Sequence, residues 1–134
     1  MLVALAWPNH VHHPRALEWF SGVREAGWAT CPTTESGFVR VSSNRRAIPD
    51  AKSPVEAIGL LAQMRTLGDH RFWADDTSLV EDDFGLFARV VGYKQVTDAH
   101  LLALTIRRSG ILATFDRGIV ELGRDHGTHV ELIG

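Results

Sequence analysis

The sequence predicts an α/β fold, a three-layer sandwich of helices around a mainly parallel sheet of four to five strands. Three observations carry this. Short apolar runs of strand length, among them Trp28 to Cys31, Ile111 to Phe115 and Val130 to Ile133, alternate with segments of helical periodicity. Helix-start residues stand directly ahead of those segments: Pro14, Thr33 with Thr34, Ser53-Pro54 with Glu56, and Thr97 with Asp98. Finally, Val96 to Asp116 reads as a helix followed by a buried strand, the crossover that parallel pairing requires.

In chain order, Leu2 to Trp7 is apolar and is expected to be a first, central strand, broken by Pro8 and Asn9. His10, His12 and His13 fall in the following loop; no cysteine or histidine recurs at zinc-finger spacing, so a solvated or RNA-facing loop is expected and zinc is not. Pro14 opens a helix with Ala16, Leu17, Trp19, Phe20 and Val23 on its packed face, stopped by Gly27. Trp28 to Cys31 is a strand ended by Pro32, and Thr33 and Thr34 cap a short helix carrying Glu35 and Phe38. Ser53, Pro54 and Glu56 form a capping box for a helix to Leu67, with Val55, Ile58, Leu61 and Ala62 inward and Met64 at the margin. Arg71 to Trp73 is a short strand, and Leu86 to Val91 a short helix closed by Gly92. Leu101, Leu102, Leu104 and Ile106 give the next helix its apolar face; Gly110 ends it, and Asp116 stands at the end of the strand beyond. A short helix through Leu122 precedes the last strand. No repeat, linker or low-complexity segment interrupts this, so residues 1–134 are expected to form a single domain.

Of the 134 residues 45% are hydrophobic and 22% charged, ordinary for a globular protein. No apolar run is long enough to span a membrane, and the single Cys31 excludes an internal disulfide, so a reducing cytoplasm is expected. The net charge of -2 argues against gripping nucleic acid by charge alone, although Arg45 with Arg46 and Arg107 with Arg108 are candidate basic patches.

Three acids stand where sheet topology brings chemistry together, outside the carboxyl ends of parallel strands: Glu35, Asp98 and Asp116. Crowded carboxylates repel unless a cation neutralises them, and hard oxygens suit Mg²⁺ or Mn²⁺. Such an ion activates water and stabilises charge on a phosphoryl group, which points to phosphodiester hydrolysis. Each acid also has a plain structural reading as a helix cap or dipole partner. The pairs Asp75-Asp76 and Asp82-Asp83 are read as a solvated turn and a helix start.

The runs Thr34-Glu35-Ser36-Gly37-Phe38-Val39-Arg40-Val41, Val96-Thr97-Asp98-Ala99-His100-Leu101-Leu102-Ala103-Leu104 and Leu112-Ala113-Thr114-Phe115-Asp116 resemble the successive motifs of PIN-domain ribonucleases, more narrowly the VapC toxins of bacterial toxin–antitoxin pairs. The opening Leu2-Val3-Ala4-Leu5-Ala6-Trp7-Pro8-Asn9-His10 is similar to that group as well. The resemblance implies a PIN-like α/β/α sandwich and a Mg²⁺- or Mn²⁺-dependent endoribonuclease acting on structured RNA, tRNA or ribosomal RNA. It further implies a homodimer inhibited by a cognate VapB-like antitoxin. It assigns Glu35, Asp98 and Asp116 as catalytic metal-site acids, with Thr114 orienting the site and Arg117 holding RNA phosphate.

One departure stands out. The family opens with an acid, as Asp-x-Asn, shortly before Leu-Val-Ala-Leu, whereas Met1 here stands immediately before Leu2. The expectation is a chain truncated at its N-terminus, its start misplaced at a valine codon, that binds metal poorly and cuts slowly or not at all; loss of even an outer partner typically costs about 10–100-fold. The alternative is a catalytically silent PIN fold that binds an antitoxin or RNA. A receiver-like phosphoacceptor is disfavoured, because it needs an acid pair at an early strand end.

Overall fold

A computed structural model describes residues 1–134. The chain forms two units, Met1–Asp75 and Asp76–Gly134. In the first, α1 (Leu2–Ala6), α2 (His13–Val23), β1 (Trp28–Thr30), α3 (Pro32–Ser42), α4 (Pro54–Met64) and β2 (His70–Phe72) follow in order. β1 and β2 pair in parallel, with Trp28 opposite His70, Ala29 opposite Arg71 and Thr30 opposite Phe72. In the second unit, 3₁₀ turns at Phe87–Arg89 and Tyr93–Gln95 lead into α5 (Val96–Arg107), β3 (Leu112–Thr114) and α6 (Arg117–Leu122). A 3₁₀ segment at Arg124–His129 then feeds β4 (Val130–Leu132). β3 and β4 are again parallel, Leu112 opposite Val130 and Thr114 opposite Leu132. The fold is thus α/β, with four short strands in two parallel pairs rather than the continuous sheet expected.

The opening segment corrects the reading of the sequence. Leu2–Ala6 is a helix, not a strand: Leu5 N–H donates to the Met1 carbonyl at 3.1 Å and Trp7 N–H to that of Val3 at 3.0 Å. A five-residue apolar run has no periodicity long enough to decide, and Leu and Ala both favour helix. Trp7 Nε1 donates to the buried Ser42 Oγ at 3.0 Å, fixing α1 against α3.

Pro32 starts α3 rather than merely ending β1. Cys31 is the cap residue, and Thr34 Oγ1 accepts its N–H at 2.9 Å and donates to its carbonyl at 3.0 Å. The Ser53–Glu56 capping box of α4 forms as read. The inward face of α4 does not. Ala57, Leu61 and Met64 are buried, whereas Val55 is 79% and Ile58 55% exposed, and Ala62 is exposed too. On α2, Ala16 and Phe20 are buried while Leu17 is 44% exposed. Gly68 takes φ +60 where a Cβ would run into the Arg24 carbonyl, so only glycine serves this turn.

The core of the second unit is built on α5. Ala99, Leu102, Ala103 and Leu104 are buried, and Leu86 packs there with Phe84, Phe87, Ile106, Leu112 and Val130. The stop of α5 differs by one residue from expectation. Ser109 takes the left-handed conformation at φ 55, its N–H bonding the Ile106 carbonyl at 3.0 Å, and Gly110 N–H bonds that of Thr105 at 2.9 Å. This is the double hydrogen-bonded helix stop, with serine in the position glycine usually takes. No helix is long and apolar enough to cross a membrane.

These environments separate two aliphatic truncations. Leu102→Ala should cost about 2–5 kcal/mol in urea unfolding, as for a fully buried leucine, whereas Ile58→Ala should stay within about 0.5 kcal/mol.

Candidate metal centre and its acids

Asp98 is the third residue of α5, and its plain reading as a helix cap fails. The helix starts at Val96 after Gln95, with no side-chain cap bond. Its half-buried carboxyl is held above the ordinary aspartate value by burial first and by the nearby Asp116 carboxylate second. Both causes oppose the charged form, and burial is the larger.

Asp116 follows β3 and is exposed. Here the structural reading holds for one oxygen: Asp116 Oδ1 accepts the Gly118 N–H at 2.7 Å, capping α6. Thr114, at the end of β3 and buried, accepts the Asp116 N–H on its Oγ1 at 3.0 Å. Strand, hydroxyl and cap together fix the backbone that carries this carboxylate. Arg117 is the first residue of α6 and is exposed.

Glu35 lies in the first unit, in the first turn of α3. Its Oε2 accepts from Thr30 Oγ1 at 2.6 Å and meets Arg65 Nη1 at 3.4 Å. Thr30 Oγ1 is also 2.8 Å from His70 Nε2. Arg65 in turn lies over the Phe72 ring, 5.4 Å from its centroid. Thr30, Arg65 and His70 were not singled out from the sequence. The last stands 40 residues from Thr30, and only the parallel register of β1 and β2 brings the two together.

The other acids resolve into structural roles. Asp82 accepts the N–H groups of Leu86, Phe87 and Ala88 at 2.7–3.0 Å, the turn-and-helix-start role read for it. Thr33 donates to Asp75 at 3.1 Å. Asp83 pairs with Arg107 and Asp76 with Arg108, each at 3.2 Å. The expected Arg107–Arg108 patch is therefore neutralised by its own acids, while Arg45 and Arg46 stay exposed. Of the histidines, His13 Nδ1 bonds the Ala4 carbonyl at 2.7 Å and His10 Nδ1 accepts the His12 N–H at 3.1 Å.

Within neither unit do three or more His, Cys, Asp or Glu side chains gather to hold an ion. Asp98 and Asp116 are a pair, and a pair is enough for Mg²⁺, which binds through one or two carboxylates and keeps waters. A small divalent cation would remove the repulsion that Asp98 now feels, so the donor set fits.

No family model matches the chain. Individual proteins do. Ribonuclease VapC38 of Mycobacterium tuberculosis is 53% identical over 133 residues, covering 98% of this chain and 92% of that protein. Ribonuclease VapC39 of the same species is 46% identical over 90% of this chain and 87% of its own length. Ribonuclease VapC44 is 42% identical over 89% and 83% respectively.

The Asp98–Asp116 repulsion has a consequence for pH. A native carboxyl titrating above its unfolded value contributes stability fully present below the unfolded value and lost as pH rises through the native one. In metal-free protein, Asp116→Asn should move the Asp98 titration, followed by carboxyl ¹³C NMR, part of the way back toward the ordinary value of 3.8. Asp98→Asn should remove this contribution to the fall in melting temperature over that interval.

Proposed function

Because the chain belongs to the VapC family of ribonucleases, we propose that it is the toxin of a toxin–antitoxin pair and hydrolyses phosphodiester bonds within RNA. The observation that carries the chemistry is the half-buried Asp98, its carboxyl held above the ordinary value by burial first and by the nearby, exposed Asp116 carboxylate second. Repulsion of this kind is a standing cost to the free protein, and a bound cation relieves it. The two carboxylates are the groups that would hold Mg²⁺ or Mn²⁺, and Glu35 is the third acid of the reading. When bound, the ion supplies a water of lowered pKa and positive charge for the phosphoryl oxygens.

The chain's own residues do the rest. Asp98 and Asp116 orient through the start of α5 and the end of β3. Thr114 keeps the Asp116 backbone from shifting. Arg117, exposed at the start of α6, takes an RNA phosphate. The substrate is structured RNA, tRNA or ribosomal RNA, whose loops offer bonds that a shape-reading enzyme reaches.

The partner is a VapB-like antitoxin. Support comes from α4, which keeps Val55 and Ile58 in water at helical spacing although its other face is packed. An apolar stripe of this sort suits an amphipathic segment laid alongside it. A homodimer and a cytoplasmic location complete the reading.

Cleavage of total tRNA and ribosomal RNA in Mg²⁺ and in Mn²⁺ tests it, run with this chain and with one extended upstream to place an acid before Leu2. Specific fragments should form and vanish with EDTA. Asp98→Asn or Asp116→Asn should cut the rate by at least about 100-fold, since losing a ligand exceeds the loss of an outer partner. Intact RNA in both metals with both chains would overturn the enzyme reading in favour of a fold that binds without cutting.

A further inference from the structure

We propose that His70 and Thr30 are positioning residues for Glu35, acting as a two-step hydrogen-bond relay that fixes which carboxylate oxygen stays free. The inference rests on the ribonuclease reading for the part that Glu35 plays in cleavage; the relay itself stands on the geometry of the first unit.

Thr30 closes β1 and is only 2% exposed. Its hydroxyl carries one proton and touches two partners, Glu35 Oε2 at 2.6 Å and His70 Nε2 at 2.8 Å. An ionised carboxylate accepts only, so the proton goes to Glu35. The contact with His70 is then one that the hydroxyl accepts, and His70 Nε2 must carry the hydrogen. The direction of the relay is thereby set: His70 donates to Thr30, and Thr30 donates to Glu35.

The far end of the relay is held firmly. Trp28 faces His70 in the parallel register, and their rings meet edge to face at 4.6 Å. Trp28 is itself packed edge-on against Phe20 at 5.0 Å, and its Nε1 donates to the Leu67 carbonyl at 2.7 Å. These contacts hold the two rings against the strand pair. Burial and the Arg65 charge also lower the His70 pKa, with Glu35 acting in the other direction, and the Thr30 hydroxyl sets which ring nitrogen carries the hydrogen.

Arg65 approaches the same oxygen, Oε2, from the side. The Thr30 and Arg65 contacts therefore fall on Oε2, and Oε1 is the oxygen left for other chemistry. A carboxylate so divided presents one lone-pair set in one orientation, as second-layer partners do for acids in metal sites.

The test uses the full chain in the form that cuts RNA. Thr30→Val removes the hydroxyl at constant shape, and His70→Phe keeps the ring but not the N–H. Each should lower kcat about 10–100-fold with KM for RNA unchanged. Thr30→Ser, which restores the hydroxyl, and His70→Gln, which offers an amide donor, should recover most of the loss. If one variant fails to fold, the other pair still decides. Unchanged kcat in the Val and Phe variants, with wild type active, overturns the proposal. The relay is also read without catalysis. ¹⁵N NMR of wild type should show His70 protonated on Nε2 and a slowly exchanging Thr30 hydroxyl proton that Glu35→Ala removes. A His70 protonated on Nδ1 alone overturns the relay, whether or not the chain cuts RNA. Intact RNA with both the given and the extended chain, the relay being intact, condemns the ribonuclease reading instead.

Discussion

Parallel pairing of very short strands is the constraint on which the molecule depends. β1 with β2, and β3 with β4, each share only three residues. Parallel neighbours cannot be joined by a tight turn, so each pair forces a helical crossover between its members. α3 and α4 fill the first crossover and α6 the second. Three residues of ladder are too few to hold a register by themselves. The helices must supply the rest, which is why the buried side chains are concentrated on helices: Phe38, Leu61 and Met64 in one unit, Leu102 and Leu104 in the other. The register so maintained sets the chemistry, because it puts His70 across from Trp28 and within reach of Thr30.

The acids occupy contrasting electrostatic settings, and the difference lies in what surrounds each carboxylate. Glu35 meets a hydroxyl donor and a guanidinium. Asp98 is half-buried and meets a second carboxylate, both of which oppose its charge. Folding could have satisfied Asp98 as a helix cap, the commonest fate of an aspartate at such a position, yet the helix begins two residues earlier and leaves it uncapped.

Much of this was legible in the sequence, and the failures have physical causes. Thr33 with Thr34 placed the start of α3 to within two residues, and Pro54 with the Ser53–Glu56 box located α4, since these signals act through local backbone chemistry. Leu2–Ala6 was misread because five apolar residues carry no period, and only packing beside Ser42 settles their conformation. The face of α4 was misassigned for a different reason. Val55, Ile58 and Ala62 make as good a helical stripe as Ala57, Leu61 and Met64, and hydrophobicity alone favours the larger residues. Small Ala57 is the one buried, at 0% exposure, which only close packing explains. The relay to Glu35 left no local trace at all, because its members are joined by strand register across 40 residues.

Asp116 shows why structural and chemical readings of one residue need not compete. Oδ1 caps α6, an ordinary role that any aspartate at a helix start performs. The same bond immobilises the carboxyl group, and the Thr114 hydroxyl on the Asp116 N–H immobilises its backbone. A capped carboxylate keeps its orientation, which is what a group opposing Asp98 must do. Gly118 completes the arrangement: a Cβ there would lie 3.0 Å from Oδ1 and press on the carboxylate it caps. The start of α6 is thus shaped around Asp116 twice, once by the N–H that Gly118 donates and once by the side chain it lacks. Helix stability and carboxylate placement are served by the same atoms, so neither can be altered without the other.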